Sequence, residues 1–150
     1  MLILFIVGLV LSGLTAFPIE TQLAIAVNNL SIFPVFMQSW LTTVYHAVKT
    51  TNENFPYLSY GTDWLAFAHL VIAVVFFGPL KDPVKNIWVI QFGMIACAMV
   101  IPLALIAGPI RQIPFYWRLI DCSFGLFGVI PLYVCYKWIK KLENLNGRES

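Results

Sequence analysis

Four ionisable side chains lie within or at the edge of long apolar stretches: Asp63, His69, Arg118 and Asp121. An ionisable group at the centre of a bilayer costs roughly 2.5 to 3.5 kcal/mol, so each such residue is a candidate for chemistry. Asp63, His69 and Asp121 are candidate catalytic residues, because carboxylates and imidazoles can exchange protons near neutral pH. These residue types would suit an enzyme that acts on a lipid or other amphiphile, which is the alternative to structural roles for them. Asp63 or Asp121 would then serve as the acid or base and His69 as a proton shuttle. Arg118 would stabilise negative charge.

A second group of charged and aromatic residues is suited to binding the head group of a ligand. The group consists of Glu20, Trp64, Arg111, Trp117 and Arg118. The two arginines would attract an anionic head group, and tryptophan favours the membrane interface. Glu20 and Arg111 can equally be interfacial residues whose side chains extend towards water. In the topology predicted below, both groups lie in the outer half of the protein. Asp63, His69, Arg118 and Asp121 would line a small cavity that opens outward and that the helix from Phe33 to Val48 partly covers.

Structural roles explain the candidate catalytic residues as well. Asp63 can cap the second membrane helix or interact with its N-terminal dipole. Arg118 and Asp121 are three residues apart on one helical face and can form an ion pair. His69 can donate a hydrogen bond to a neighbouring helix. The sequence leaves the structural and the functional explanations open.

The composition indicates the environment in which these residues act. Of the 150 residues, 60% are hydrophobic and 11% are charged, whereas soluble domains have about 45 to 50% apolar and about 25% charged residues. This excludes a disordered chain, and a net charge of only +2 excludes a nucleic-acid binder. The sequence therefore predicts an integral membrane protein that contacts lipids.

Four uncharged stretches are long enough for membrane helices, each of which needs roughly 20 apolar residues. They predict an all-α fold, a four-transmembrane-helix bundle in one domain, with spans at about 1–19, 62–80, 87–110 and 114–138 and a tail at 139–150. The first stretch also resembles a signal peptide in length. Its retention is favoured, because no Lys or Arg precedes it and Leu14 does not suit cleavage after Ala16.

Lysine and arginine residues beside the spans predict the topology. The two sides carry six and three of them: Lys81, Lys85, Lys137, Lys140, Lys141 and Arg148 against Lys49, Arg111 and Arg118. The positive-inside rule then places both termini in the cytoplasm. The outer connection from Asn28 to Gly61 is too long for a turn. Its apolar residues recur at three- and four-residue spacing, which predicts an additional amphipathic helix at about 32–49 on the outer surface.

Small residues predict that the third and fourth spans form the closest helix pair, because helices in lipid associate through close packing. These stripes are Gly93, Ala96, Cys97, Val100, Ala104 and Ala107 on the third span and Asp121, Gly125, Gly128 and Leu132 on the fourth. The cysteines at 97, 122 and 135 match neither a metal-binding motif nor a disulfide framework. Neither a metal nor a cofactor is expected.

Three segments, YGTDWLAFAH, GPLKDPVKNIWVIQFGMIAC and WRLIDCSFG, resemble the recurring segments of a family of small four-helix bacterial membrane proteins with no assigned activity. The resemblance extends from Pro18 to Glu143 and implies the same architecture and a location in the bacterial inner membrane. It implies nothing about a mechanism.

The function expected from the sequence is binding of a lipid-like ligand without catalysis, or service as an accessory subunit of a membrane complex. The connections between spans are too short to hold a catalytic domain. The alternative is a small intramembrane enzyme that uses the outward-facing Asp, His and Arg residues. A transporter is less favoured, since Gln91 is the main polar group of the inner half.

Overall fold

The computed structural model describes residues 1–146, which are almost entirely helical. Helix makes up 88% of the described residues, and none of them is in a strand, which confirms the all-α prediction. The helices are α1 (Leu2–Ala16), α2 (Ile19–Asn28), α3 (Val35–Asn54), α4 (Tyr60–Val75), α5 (Phe77–Lys81), α6 (Ile87–Ile110) and α7 (Phe115–Asn146). Helix α7 continues beyond the predicted fourth span into the predicted tail. The remainder of that tail, with Arg148, lies outside the described residues.

Three stretches are long and apolar enough to cross a membrane: Pro56–Lys81, Ile87–Ile110 and Phe115–Leu145. A fourth exists if α1 and α2 together count as one span. Large apolar side chains on these helices are widely exposed, as Ile106 (65%) and Phe127 (71%) illustrate. Soluble proteins rarely leave so much apolar surface in water. These helices indicate a membrane-spanning protein, and the exact four-span bundle stays a prediction.

The chain bends sharply where the first predicted span ends. Helix α1 stops at Ala16, and α2 begins at Ile19 at an angle of 84° to it. Pro18 lies between them, and its missing N–H and its ring prevent a helix from continuing through it. The Gln22 side chain donates a 2.7 Å hydrogen bond to the Thr15 carbonyl, which is in the last turn of α1. Helix α2 was not predicted from the sequence.

Helix α3 occupies the segment predicted to be amphipathic, with shifted ends. It begins at Val35 rather than near 32, because Pro34 holds the preceding Phe33 in an extended conformation. It continues to Asn54, where the Asn54 side chain donates to the Thr50 carbonyl. Helix α3 is not among the stretches that are apolar enough to cross a membrane. Its position on the outer surface stays a prediction.

Contacts divide the chain into two compact units. One unit is Leu9–Ile72, which holds α2, α3 and most of α4. The other consists of Met1–Gly8 and the chain from Ala73 onward, which holds α5, α6 and α7; it is called the Ala73 unit below.

In the Ala73 unit, α6 and α7 form the most extensive helix pair of the described chain, as predicted. Glycines make their close approach possible. A Cβ at Gly125 would lie 2.5 Å from the Cys97 carbonyl oxygen, and one at Gly128 would lie 2.8 Å from the Cys97 sulfur. The small-residue stripes therefore let the two backbones come into close contact. In lipid, the van der Waals attraction between such closely packed helices stabilises the pair.

Phe76 fills the centre of the Ala73 unit. In the chain it lies between α4 and α5. Its side chain is fully buried, and its ring centroid lies 4.9 Å from that of Phe5. Both Phe76 and Leu132 lie directly against Gly93 of α6. Leu132 of α7 is also fully buried. Phe76 thus joins α1, α6 and α7 into one packed core.

The loop that leads into α6 is held by Asp82. The backbone N–H of Lys85 donates to Asp82 Oδ1 at 3.1 Å, and the Lys85 ammonium lies 3.3 Å from Oδ2. The backbone hydrogen bond is the main reason that the pKa of the Asp82 carboxyl lies below its usual value. Asn86 donates to the carbonyls of Gly78 and Asp82, which closes the loop.

A tight turn connects α6 to α7 and makes the two helices antiparallel neighbours. Gln112 adopts a left-handed conformation there, with φ of 56°. The N–H of Ile113 donates to the Gly108 carbonyl and the N–H of Gln112 to that of Pro109. This is the Schellman pattern of a helix C-terminus, in which the left-handed position favours glycine.

Gln112→Gly is therefore expected to stabilise the protein by about 1 kcal/mol, since a left-handed conformation costs a non-glycine residue about that much. The matched control is Gln91→Gly, at an exposed position inside α6, where glycine should cost about 1 kcal/mol. Unfolding in mixed micelles with increasing dodecyl sulfate measures both changes. Loss of stability in Gln112→Gly would contradict the geometry of the turn.

Candidate functional site

An open groove in the Leu9–Ile72 unit combines four aromatic rings with one carboxylate. It is lined by Phe17, Tyr60, Asp63, Trp64 and Phe67 and has a volume of about 260 Å³. Four of these residues lie on the first two turns of α4, and Phe17 lies at the bend between α1 and α2. This set is called the Asp63 groove.

The aromatic rings of α4 are arranged edge to face. The Tyr60 and Trp64 centroids lie 6.0 Å apart at 82°, and those of Trp64 and Phe67 lie 6.0 Å apart at 88°. Spacings of four and three residues place these side chains on one helical face, where neighbouring rings can meet. The spacing of these aromatic residues is visible in the sequence, although only Trp64 was predicted to bind a ligand. Nothing in the sequence pointed to Phe17.

Asp63 lies inside the first turn of α4 and is not its cap. The helix begins at Tyr60, before the predicted start at 62, and the Asp63 N–H donates to the Ser59 carbonyl. Of the two structural roles expected for Asp63, its position is compatible only with the interaction with the N-terminal helix dipole, which stabilises a negative charge there. Within residues 1–146, the Asp63 carboxylate has neither an ion pair nor a side-chain hydrogen bond. It is half-buried and available to a ligand.

A polar cluster holds the start of α4 next to the ends of α2 and α3. The Asn52 side chain donates a 2.5 Å hydrogen bond to the Glu20 carboxylate, and the Ser59 hydroxyl donates to Asn52. The Ser59 carbonyl in turn accepts the N–H groups of Thr62 and Asp63. Glu20, predicted to bind a ligand, therefore has a positioning role in this structure. Asn52 and Ser59 were not predicted, because no local pattern links residues 32 positions apart.

His69 is half-buried on α4, outside the Asp63 groove. Its Nδ1 lies 2.8 Å from the Leu65 carbonyl oxygen, one turn earlier in the same helix. A carbonyl oxygen only accepts, so Nδ1 is the donor of this hydrogen bond. This hydrogen bond lies within α4, and a hydrogen bond from His69 to a neighbouring helix stays a prediction.

Arg118 and Asp121 of the Ala73 unit do not form the predicted ion pair. Within the described chain, ion pairs involve other residues. The Arg118 guanidinium lies 5.2 Å from the Phe115 ring centroid, and its methylenes cover Gly108, where a Cβ would overlap them. Helical side chains tilt towards the N-terminus, so Arg118 extends towards Phe115 and away from Asp121. Its Nε is buried without a hydrogen-bond partner in the described chain.

Within residues 1–146, no ion pair joins Arg118 to the other predicted site residues of the Ala73 unit. Arg111 is exposed at the end of α6, while Trp117 and Asp121 are half-buried on α7. Because the candidate residues are divided between the two units, their convergence in one cavity stays a prediction.

A second open groove, of about 280 Å³, lies in the Ala73 unit and is almost entirely apolar. Its lining residues include Pro79, Cys135 and Trp138, and none of them carries a carboxylate side chain. It can accept a hydrocarbon chain, and no acidic or basic side chain lines it. Among residues 1–146, no cluster of three or more His, Cys, Asp or Glu side chains is arranged to bind a metal ion, and the three cysteines are free.

The fold and the Asp63 groove together define a class, an all-helical protein with membrane-spanning helices and an amphiphilic surface groove. Comparison with known proteins finds no matching family model, no matching curated protein and no matching solved structure.

Proposed function

We propose that this chain is a multi-pass membrane protein that binds a lipid-like molecule in the Asp63 groove without transforming it. One observation carries the proposal: a carboxylate with no partner among residues 1–146 sits in a groove otherwise lined by aromatic rings. Ligand sites combine apolar walls with a few polar groups that fix orientation. An amphiphile offers both kinds of surface.

Binding is favoured over catalysis by the composition of the groove. Of the predicted acid–base residues, Asp63 alone lines it. His69 is engaged with its own helix, and proton transfer by a pair would require both groups within reach of one substrate. Service as an accessory subunit is compatible with this proposal, because exposed apolar helix faces can pack against another membrane protein as well as against lipid.

The proposed location is the bacterial inner membrane, with four spans and both termini in the cytoplasm, as the resemblance and the charge pattern imply. The antiparallel α6–α7 pair supports this orientation. Lysines 81 and 85 precede α6, and lysines 137, 140 and 141 follow at the same end on α7, whereas Arg111 and Arg118 lie at the other end. The Lys137 ammonium lies over the Tyr133 ring and the Lys141 ammonium over the Trp138 ring. Lysine and aromatic side chains are typically found together at the membrane–water interface.

Native mass spectrometry tests the proposed binding. The full chain is purified in a mild maltoside detergent after incubation with phosphatidylethanolamine, phosphatidylglycerol and cardiolipin. We expect the wild-type protein to retain one lipid-sized adduct and Trp64→Ala to lose it, because the indole forms a wall of the groove. Trp88→Ala is the matched control, since Trp64 and Trp88 are both 57% exposed and only Trp64 lines the groove.

Equal retention in the two variants would place the lipid elsewhere and contradict the proposal. So would the absence of any adduct on the wild-type protein. Thermal unfolding of each variant in the same detergent establishes that a lost adduct reflects the groove rather than the fold.

A further inference from the structure

The walls of the Asp63 groove have the chemistry of a receptor for organic cations. Aromatic faces carry negative electrostatic potential and attract ammonium groups, most strongly where water is excluded. In an edge-to-face pair, the ring that contributes its edge keeps both of its faces uncovered by the partner ring. Tyr60, Trp64 and Phe67 form two such pairs and are each at least 50% exposed. Ring faces are therefore accessible beside the Asp63 carboxylate.

The charge of the Leu9–Ile72 unit is complementary to a cation. It contains one basic residue, Lys49, against three carboxylates, although the whole chain carries +2. Lys49 is engaged with Glu53 at 4.0 Å on α3, and Glu20 accepts from Asn52. Asp63 is the carboxylate of this unit without a side-chain partner within residues 1–146. Neither Lys nor Arg lines its groove.

The size of the groove restricts what part of a ligand it holds. Its volume of about 260 Å³ lies just below the roughly 300 to 1,000 Å³ of sites that enclose a drug-sized molecule. The groove therefore accommodates a head group, and an attached hydrocarbon chain would extend along the exposed apolar surface of α4, where Leu65 and Val71 are exposed.

We propose that the Asp63 groove selects amphiphiles bearing an organic ammonium group, held between the Asp63 carboxylate and the ring faces of Tyr60, Trp64 and Phe67. This inference rests on the proposed function and adds the chemical class of the ligand. Arg111 and Arg118 were expected from the sequence to attract an anionic head group. A cationic head group is proposed instead, because neither arginine lines this groove.

Fluorine NMR of the full chain labelled with 5-fluorotryptophan in dodecyl maltoside tests the selectivity. The five tryptophans give separate probes, and Trp64→Phe assigns the signal of Trp64. Trp88 reports non-specific partitioning into the micelle, because it is equally exposed and lies outside the groove. The titrants are lysophosphatidylcholine and lysophosphatidylglycerol, which share the acyl chain and phosphodiester and differ in the ammonium group.

We expect lysophosphatidylcholine to shift the Trp64 signal saturably and to leave that of Trp88 in place, while lysophosphatidylglycerol shifts neither. Asp63→Asn should raise the Kd for lysophosphatidylcholine about tenfold or more, because a desolvated ionic partner is lost. Asp63→Glu should keep most of the affinity. Asp82→Asn removes one carboxylate from the loop before α6, outside the groove, and should leave the Kd unchanged.

The outcomes separate the selectivity from the binding itself. If both lysolipids shift Trp64 with equal Kd, or if Asp63→Asn binds as the wild type does, the groove binds amphiphiles without selecting an ammonium and this inference fails alone. If neither lysolipid shifts Trp64, the proposed function fails with it. Titration with choline chloride identifies the source of the ammonium: saturation by choline indicates a free cation, and its failure beside a saturating lysolipid indicates a lipid head group.

Discussion

Phe76→Ala is expected to lower the free energy of unfolding by about 2 kcal/mol. The side chain is fully buried against Phe5 and Gly93, and Leu132 lies against the same glycine. Removing a phenyl group leaves a cavity of roughly 100 Å³, and cavities cost about 24 cal/mol per Å³. The transfer contribution that such a change has in water is largely absent, because helices separated in detergent or lipid still keep their side chains in an apolar medium. Unfolding in mixed micelles with increasing dodecyl sulfate measures the loss.

The neighbouring residue provides the control. Phe77 is 50% exposed, so Phe77→Ala opens no comparable cavity and should change stability by less than about 0.5 kcal/mol. Equal losses at the two positions would mean that Phe76 does not form the core of the Ala73 unit.

Gly125→Ala is expected to destabilise the protein by up to about 2 kcal/mol, although alanine is the better helix former. The added Cβ would meet the backbone carbonyl of Cys97 at 2.5 Å, and a backbone cannot yield as a flexible side chain does. Overpacking of this kind costs about 1 to 3 kcal/mol. The higher helix propensity of alanine offsets up to about 1 kcal/mol of that cost. Helices α6 and α7 must move apart to accommodate it.

Gly8→Ala is the matched substitution in α1, because nothing lies within 4 Å of the Cβ position there. It should stabilise the protein by about 0.5 to 1 kcal/mol through helix propensity alone. The two glycines thus predict changes of opposite sign in the same unfolding assay, and a stabilising Gly125→Ala would contradict the close contact of α6 with α7.

The helical elements were largely predictable, because apolar runs, prolines and small-residue stripes act locally. The stripe around Gly125 and Gly128 led directly to the α6–α7 pair. Helix α2 was not predicted and the start of α3 was misplaced, because Pro18 and Pro34 set those boundaries through the backbone, which apolar spacing does not reveal.

The candidate site was less predictable, since it depends on contacts between distant residues. Asp63 and Trp64 were identified from charge and aromatic character, and both line the groove. The pairing of Arg118 with Asp121 was wrong, because spacing gives proximity on a helix but not the direction in which a long side chain extends. The bond from Asn52 to Glu20 joins helices whose packing the sequence does not specify.

The 84° angle between α1 and α2 has a consequence for the surrounding lipid. When α1 stands along the bilayer normal, the ten residues of α2 lie nearly flat. A flat helix occupies area among the head groups of a single leaflet, and such insertion responds to curvature and lateral pressure. If α1 alone forms the first span, its 15 residues extend only about 22 Å, and a hydrocarbon core of roughly 30 Å has to thin around it. The bend at Pro18 would then make the protein sensitive to the thickness of the bilayer as well as to its shape.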